Sequence, residues 1–180
     1  MSIDVASINA APVNIANAKA AAGNLLASTL PLMKAPPVNL RIICDLLGIE
    51  VYTMPCDAFG AIFSLRGDKK CLLANDRQQQ GRFRFSIAHE LGHILLNHEP
   101  LKNIFERRQP DVERQADSFA AELLLPERLL RVDCANYTIT ELTARYKVSR
   151  QSLELRLNDL GICPKTGGKL PPLHRQFMGV

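Results

Sequence analysis

The amino-acid sequence predicts an α+β fold, in which a small antiparallel β-meander packs on a helical core and a C-terminal helix-turn-helix-like pair of helices follows. Three short segments separated by turn residues occupy residues 49–75 and indicate the meander. Apolar residues at helical spacing dominate the chain from residue 83 onward and indicate the helices. The chain has 180 residues, of which 47% are hydrophobic, so it can bury a core without cross-links. A small sheet followed by helices is typical of the α+β class.

Two helices are predicted before the strands. The alanine-rich run over 13–27 favours a helix, and the first dozen residues are expected to be loose. A second, short helix is predicted within 39–48, with Asn39 near its start and Gly48 just past its end. The prolines that separate these two helices are Pro31, Pro36 and Pro37.

The strands are predicted over 50–54, 61–65 and 70–74. The Gly67-Asp68 dipeptide between the last two is the strongest hairpin signal in the chain. The segments that follow have helical periodicity, and the residues from Pro164 onward, with paired glycines and paired prolines, are predicted to be irregular. The predicted helices are 83–98, 111–125, 127–134, 140–146 and 149–160.

Charge is distributed unevenly along the chain. The net charge is +4, and residues 128–180 hold 9 basic and 4 acidic residues, against 13 basic and 14 acidic residues in the first 127. The basic excess therefore lies in the C-terminal third. We favour a solvated face as its interpretation, with a polyanionic or acidic partner as the alternative.

Cysteine usage and hydropathy favour a cytoplasmic protein. The five cysteines form no C-x-x-C pair, which predicts reduced thiols. No run approaches the ~20 consecutive apolar residues that span a bilayer, and the N-terminus has no secretory signal pattern. We therefore expect neither secretion nor a membrane partner.

Residues 89–93 read His-Glu-Leu-Gly-His, which is the H-E-x-x-H metalloprotease pattern. Two histidines four residues apart lie on one helix face, so both imidazoles can reach one metal ion. Glu90 lies about 100° around the helix from His89, where it can handle a proton of the attacking water. We predict His89 and His93 as metal ligands and Glu90 as the catalytic residue. His98 projects among the apolar residues and is expected to be a core or helix-end histidine, not a ligand.

A catalytic zinc site needs a third protein ligand and an open position for water. The downstream carboxylates that could supply the ligand are Glu99, Glu106, Asp111, Glu113, Asp117 and Glu122. In the next predicted helix, Glu113 and Asp117 share one face with two alanines, and small residues allow close approach to the histidine helix, where Gly92 offers the same. We expect Glu113 to be the third ligand and Asp117 to accept the free ring N–H of a ligand histidine. Three nitrogen and oxygen ligands suit Zn²⁺, and under some conditions manganese or iron.

Two segments taken together resemble the ImmA/IrrE family of zinc metallopeptidases. The first, 83–93, reads Phe-Arg-Phe-Ser-Ile-Ala-His-Glu-Leu-Gly-His, and the second, 113–126, reads Glu-Arg-Gln-Ala-Asp-Ser-Phe-Ala-Ala-Glu-Leu-Leu-Leu-Pro. The similarity extends over some two thirds of the chain. It implies Zn²⁺ as the cofactor and a gluzincin-like site. The residues that match the family's pattern are His89, His93 and Glu113 as ligands, Glu90 as the catalytic carboxylate, and Asp117 four residues after the Glu ligand.

The resemblance also implies a substrate. Known members cut a helix-turn-helix repressor of the kind often encoded beside them, which relieves repression during stress or mobile-element induction. This implies a regulatory endopeptidase whose partner is such a repressor. Zinc peptidases usually add a His, Tyr or Arg that stabilises the oxyanion, and no motif selects that residue here. The candidates are Tyr137, His98, His174, Arg107 and Arg108.

Residues 138–161 resemble a helix-turn-helix. Thr138 with Glu141 predicts a capping box, and Ser149 and Gly161 predict the start and end of the second helix. DNA contact is an alternative, because this segment carries basic residues. We favour a helical pair that packs on the peptidase core or docks a protein substrate, since few side chains could reach bases and the turn has a lysine where glycine is common. The basic residues are Arg145, Lys147, Arg150 and Arg156.

The predicted organisation has four parts: an Ala-rich N-terminal segment (1–36), a zinc metallopeptidase core (37–135), the helical pair (136–163) and an irregular tail (164–180). Two other functions stay open on sequence alone. One is a non-catalytic regulator that binds DNA or the repressor and retains the zinc site, and the other is the toxin of a toxin–antitoxin pair. The intact Glu90 argues against the first, because a purely structural zinc site does not need that carboxylate.

Overall fold

The computed structural model describes residues 14–29, 35–67, 69–101, 103 and 106–163. The order of helices and strands in these residues confirms the mixed α and β composition that the sequence predicts. The predicted loose N-terminus, Pro31, His174 and the predicted irregular tail lie outside the described residues. The elements are α1 (Ile15–Thr29), α2 (Leu40–Leu46), β1 (Glu50–Met54), β2 (Ala61–Arg66), β3 (Lys69–Asn75), α3 (Gln80–Leu95), α4 (Pro110–Leu124), α5 (Glu127–Asp133), α6 (Ile139–Tyr146) and α7 (Arg150–Leu160).

The three strands form one sheet, but the prediction of an antiparallel meander is wrong. β3 lies between β1 and β2. β2 and β3 form the predicted antiparallel hairpin, with Ala61 opposite Ala74, whereas β1 pairs with β3 in parallel, with Glu50 opposite Cys71. β3 is the most buried of the three strands and β1 is largely exposed. The central strand pairs along both of its edges, which accounts for the greater burial of β3.

The side chain of Asn75, at the end of β3, makes hydrogen bonds to the segment that connects β1 to β2. Its buried side-chain oxygen accepts hydrogen bonds from the backbone N–H groups of Cys56 at 3.2 Å and Arg77 at 3.0 Å. Its amide nitrogen donates to the Phe59 carbonyl at 3.2 Å. A buried amide needs hydrogen-bond partners. All three partners of Asn75 are backbone groups: two lie in the segment that connects β1 to β2, and the third, Arg77, lies just after β3.

Helices α3 and α4 pack against each other at the centre of the molecule. The sheet covers α3 through β2 and β3, and α1 covers α4. Ala18, Ala22 and Leu25 of α1 are fully buried in the same hydrophobic cluster as α3 and α4. The Ala-rich N-terminal segment thus contributes a helix that supports α4.

The ends of α6 and α7 form as the sequence predicts. Thr138 and Glu141 make a reciprocal capping box at the start of α6. The Ser149 hydroxyl accepts the Ser152 N–H at 3.0 Å and caps α7. Gly161 ends α7 in the left-handed conformation, with φ of 63°.

The α6–α7 pair packs on the rest of the fold, as the favoured interpretation expects. A Cβ atom added at Gly81, at the start of α3, would lie 2.5 Å from the backbone nitrogen of Ser149. The buried Arg156 guanidinium of α7 donates to the Leu125 carbonyl at 3.2 Å and pairs with Glu122 of α4. Backbone contact at the start of α7 and the buried ion pair of Arg156 hold these two helices against the rest of the fold.

Replacing Lys147 with glycine should stabilise the protein. Lys147 ends α6 with φ of 52° and ψ of 50°, a left-handed conformation that a Cβ atom disfavours. Glycine there should raise the free energy of unfolding by about 0.5–1 kcal/mol, measured by urea denaturation. Lys147→Ala is the matched control, since it removes the same charge but keeps the Cβ atom. An equal gain from both variants would contradict the backbone explanation.

Candidate metal centre

Helix α3 presents two imidazoles to one point. The Nε2 atoms of His89 and His93, one turn apart, lie 2.9 Å from each other. The side chain of His93 is fully buried and that of His89 is 16% exposed. Helix α3 packs against α4, and its apolar residues that are also buried are Ile87, Ala88, Leu91, Ile94 and Leu95.

Helix α4 adds a carboxylate to this pair. Glu113 places Oε2 3.2 Å from Nε2 of His89 and Oε1 3.6 Å from Nε2 of His93. The ligand atoms of these three residues lie within 4.8 Å of one another. Other carboxylates on α4 have different partners, since Asp111 pairs with Arg114 and Glu122 pairs with Arg156, as noted above.

A contact between small residues brings the two helices close enough for this geometry. A Cβ atom added at Gly92 would lie 3.1 Å from the Cα atom of Ala116 and 3.1 Å from the ring of Phe119. Both distances are tighter than ordinary van der Waals contact, so any side chain larger than hydrogen at Gly92 would push α4 away. The close approach that the sequence predicts from Gly92 and the alanines of α4 is present.

The three residues are suited to holding a metal ion. Four ligands placed tetrahedrally at ~2.1 Å from an ion lie about 3.4 Å apart. The observed separations of 2.9, 3.2 and 3.6 Å between the nitrogen and oxygen atoms bracket that value. Two imidazole nitrogens and one carboxylate leave a tetrahedral position open, and this donor set accepts more than one divalent metal.

The outer nitrogens of both histidines also have partners. Nδ1 of His89 lies 2.8 Å from Oδ1 of Asp117, the residue that the sequence predicts in this place. Nδ1 of His93 lies 2.8 Å from Nδ1 of His98, and Nε2 of His98 lies 3.1 Å from Oε1 of Gln115. Both potential ligands are therefore held at their second nitrogen.

The expected placement of His98 on the apolar face is wrong, although it is a helix-end residue. Helix α3 ends at Leu95, short of the predicted residue 98, and Asn97 adopts a left-handed conformation with φ of 55°. The His98 N–H then donates to the His93 carbonyl at 2.9 Å, which closes the helix end. A helical projection cannot place His98, because the chain has already left the helix.

The electrostatics of the cluster differ between its members. Burial alone would lower the pKa of His89, but hydrogen bonds with Asp117 and Glu113 outweigh it and raise the pKa to about 10. Burial, followed by the charges of His89 and Arg108, lowers the pKa of His93. The pKa of Glu113 falls below its usual range: burial opposes this, and the hydrogen bond and charge of His89 dominate.

Glu90 lies beside the cluster with its carboxylate buried and only 6% of the residue exposed. Its Oε2 accepts the backbone N–H of Phe63 on strand β2 at 3.0 Å. Burial raises the pKa of Glu90, and the neighbouring charges of His89 and Arg108 oppose that rise. Strand β2, at the edge of the sheet, therefore fixes the position of the Glu90 carboxylate through this hydrogen bond.

Arg108 is the oxyanion candidate that the structure places in the site. Its Nη2 lies 3.9 Å from Oε2 of Glu90 and its Nη1 lies 3.9 Å from Oε1 of Glu113. The side chain is 7% exposed, and its buried Nη2 has no hydrogen-bond partner among the described residues. Tyr137 instead lies under Arg145, and Arg107 is exposed and donates to a neighbouring carbonyl.

Most basic residues of the α6–α7 pair form ion pairs with carboxylates of the same chain. Arg156 is buried against Glu122, as described above. Arg145 donates to Asp133 at 2.8 Å, and Arg150 donates to Glu154 at 2.7 Å. The Arg145 and Arg156 pairs weaken the DNA alternative, because their carboxylate partners are largely buried and phosphate contacts need free cationic side chains.

A scan against protein-family models matches residues 44–158 to the IrrE N-terminal-like domain, Peptidase_M78. This range is more than half of the chain. The chain belongs to the ImmA/IrrE family. The resemblance read from the two motifs is confirmed, and the histidine–glutamate cluster lies in a metallopeptidase-like domain of this family. A search of the curated proteins found no match.

No helix within the described residues has both the length and the apolar character needed to cross a bilayer. The five cysteines, all of which are described, are free; Cys44, Cys71 and Cys134 are buried.

Sequence reasoning missed two features of this ImmA/IrrE site. The Phe63 N–H reaches Glu90 only through the strand order, which no local pattern encodes. Gln115 reaches His98 because α3 ends early. No local signal points to Gln115, because a residue two positions after Glu113 lies on a different side of the helix.

Loading the metal-free protein with Zn²⁺ should release close to one proton from His89 between pH 7.5 and 8.5. With a pKa of about 10, the imidazole carries a proton throughout this range, whereas coordination requires a bare Nε2. The apparent Zn²⁺ affinity should therefore rise at least tenfold per pH unit, and any ionisation of the zinc-bound water adds to this slope. Competition with a chelator of known pH dependence measures it.

The matched variant for this measurement is Asp117→Asn, which removes one of the carboxylates that raise the pKa of His89. Its affinity should depend less steeply on pH. A wild-type affinity that is constant between pH 7.5 and 8.5 would mean that His89 is already neutral without metal, contrary to this expectation.

Proposed function

We propose that this chain is a zinc-dependent endopeptidase of the cytoplasm that hydrolyses a peptide bond in a helix-turn-helix transcriptional repressor and so relieves repression in a stress or mobile-element response. The observation that carries the proposal is the buried Glu90 carboxylate beside the cluster of His89, His93 and Glu113. Burying a further carboxylate costs free energy, and a metal site that only stabilised the fold would not need it. The repressor as substrate rests on the resemblance to the ImmA/IrrE family.

Zn²⁺ is the proposed ion because two imidazoles and one carboxylate, with a position left open, are the donor set of catalytic zinc sites in peptidases. His89, His93 and Glu113 would hold it. When bound, the ion supplies Lewis acidity that polarises the scissile carbonyl and makes water a better nucleophile at neutral pH.

Glu90 is the proposed proton carrier. Its Oε2 is engaged by the Phe63 N–H, which leaves Oε1 to accept a proton from the attacking water and deliver it to the leaving amine. Burial raises the pKa of Glu90 above its usual range, which favours the uptake of a proton from the water. The hydrogen bond from β2 keeps the carboxylate oriented during both transfers.

Arg108 is the proposed stabiliser of the negative charge that develops on the scissile carbonyl oxygen. A buried guanidinium nitrogen without a hydrogen-bond partner costs free energy in the resting protein. At 3.9 Å from both carboxylates, the guanidinium is too far to hydrogen-bond either of them directly. An oxygen atom that enters between these groups would satisfy Nη2, and the bond would strengthen as charge builds on it.

The Glu90→Gln variant should bind Zn²⁺ as the wild type does and lose cleavage by about 10²–10⁴-fold, because the amide cannot accept the proton. The assay is cleavage of a helix-turn-helix repressor of the kind that known ImmA/IrrE members cut, with zinc stoichiometry measured on the same samples. Glu127→Gln, an exposed change on α5, is the matched control.

The other candidate functions give different results in this assay. Bound zinc, no cleavage by the wild type and a stable complex with the repressor would replace the proposal with a non-catalytic regulator. Growth arrest on expression that Glu90→Gln leaves unchanged would indicate a toxin that acts without hydrolysis.

The Arg108→Gln variant should lower kcat by about 10²–10³-fold with little change in KM, because the lost hydrogen bond forms mainly in the transition state. Arg107→Gln, the same change at the adjacent exposed residue, should leave kcat within twofold of the wild type, or about 0.4 kcal/mol. Zinc stoichiometry must be equal in all three proteins. A KM effect alone, or equal kcat for Arg108→Gln and the wild type, would exclude Arg108 from transition-state stabilisation.

A further inference from the structure

Three side chains form a hydrogen-bonded line that runs from α4 into the centre of the metal site. Oε1 of Gln115 lies 3.1 Å from Nε2 of His98, and Nδ1 of His98 lies 2.8 Å from Nδ1 of His93. The other nitrogen of His93 is one of the three atoms that converge on the site. The line therefore begins at an amide and ends at a potential ligand atom.

With the Gln115 oxygen facing His98, the chemistry of the amide sets the position of each proton along the line. An amide oxygen can only accept, so Nε2 of His98 must carry the hydrogen of the first bond. Nδ1 of a neutral His98 then has a lone pair and can only accept. The second bond consequently needs a hydrogen on Nδ1 of His93, which leaves Nε2 of His93 without one.

We propose that His98 and Gln115 are positioning residues that hold His93 in the tautomer whose bare Nε2 lone pair points at the metal site. The proposal rests on the metal-binding part of the proposed function and adds two residues that the H-E-x-x-H motif does not contain. Neither residue touches the site itself, and both act through His93.

Burial makes this control necessary at His93. The His93 side chain is fully buried, so water cannot supply an acceptor for Nδ1. His89 has a simpler arrangement, because a carboxylate such as Asp117 can only accept. The acceptor for His93 is a second imidazole, that of His98, which can donate or accept through either nitrogen. Its hydrogen bond with Gln115 therefore selects which of its two nitrogens carries the hydrogen.

The donors and acceptors along the same line of side chains can also be reversed. If the Gln115 amide turned over, its N–H₂ would donate to His98, His98 would donate to His93, and Nε2 of His93 would carry the hydrogen. That hydrogen would point at Nε2 of His89, only 2.9 Å away, and His93 could not bind a metal ion. An acceptor at position 115 therefore favours the metal-binding state, and the loss of that acceptor should weaken it.

The test compares Zn²⁺ affinity in a series of variants, measured by chelator competition. Gln115→Met has similar length and no acceptor, and His98→Phe removes the middle of the line; each should weaken Zn²⁺ binding about 10–100-fold. Gln115→Glu keeps an acceptor of similar size and should bind Zn²⁺ at least as tightly as the wild type. Gln151→Met, at an exposed position of α7, is the matched control.

Two further readouts separate positioning from a merely structural role. In ¹⁵N–¹H correlation spectra of the zinc-loaded wild type, His98 should carry its hydrogen on Nε2 and none on Nδ1. The double variant His98→Phe/Gln115→Met should bind Zn²⁺ no more weakly than His98→Phe alone, because the two residues act through one line.

Equal Zn²⁺ affinity in the wild type, Gln115→Met and His98→Phe would overturn the proposal and leave the metal site standing. So would a hydrogen on Nδ1 of His98, or additive losses in the double variant. If His98→Phe fails to fold, the Gln115→Met and Gln115→Glu pair still decides the question. Failure of the proposed function looks different: a wild type that binds no Zn²⁺ removes the site, and one that binds Zn²⁺ without cleaving removes only the peptidase.

Discussion

The contact between α3 and α4 at Gly92 and Ala116 is the constraint on which the rest of the site depends. Glu113 reaches the two histidines because nothing larger than a hydrogen atom separates the helices at Gly92. The same approach brings Asp117 to His89 and Gln115 to His98. One glycine thus sets the distances among potential ligands and the groups that orient them, because helix backbones are rigid over a few turns.

Elements far from the motif keep that crossing in place. Helix α1 covers α4 with small and apolar residues, and strands β2 and β3 cover α3. The α6–α7 turn contacts the start of α3 at Gly81, and Arg156 reaches back to Glu122 of α4. The α6–α7 pair, whose sequence resembles a helix-turn-helix, therefore contacts both site helices, as the favoured interpretation expects.

Most buried polar groups of the site have hydrogen-bond partners among the described residues, and one does not. Glu90 has the Phe63 N–H, and both histidines have partners at their outer nitrogens. Arg108 is different, because its buried Nη2 has no hydrogen-bond partner among the described residues. Folded proteins seldom leave such a donor unmatched, and this observation supports the proposal that Arg108 stabilises a substrate oxygen.

The sequence by itself determined which segments are helical, the caps of α6 and α7, the hairpin and the residues of the cluster, because helical spacing and capping are local properties. It predicted Glu113 and Asp117 through the small residues that share their face, and the contacts that Glu113 and Asp117 make agree with that prediction. Only the tertiary structure decided the strand order, the place of His98 and which arginine enters the site. These depend on where a helix ends and how distant segments pair, and no short stretch of sequence records either.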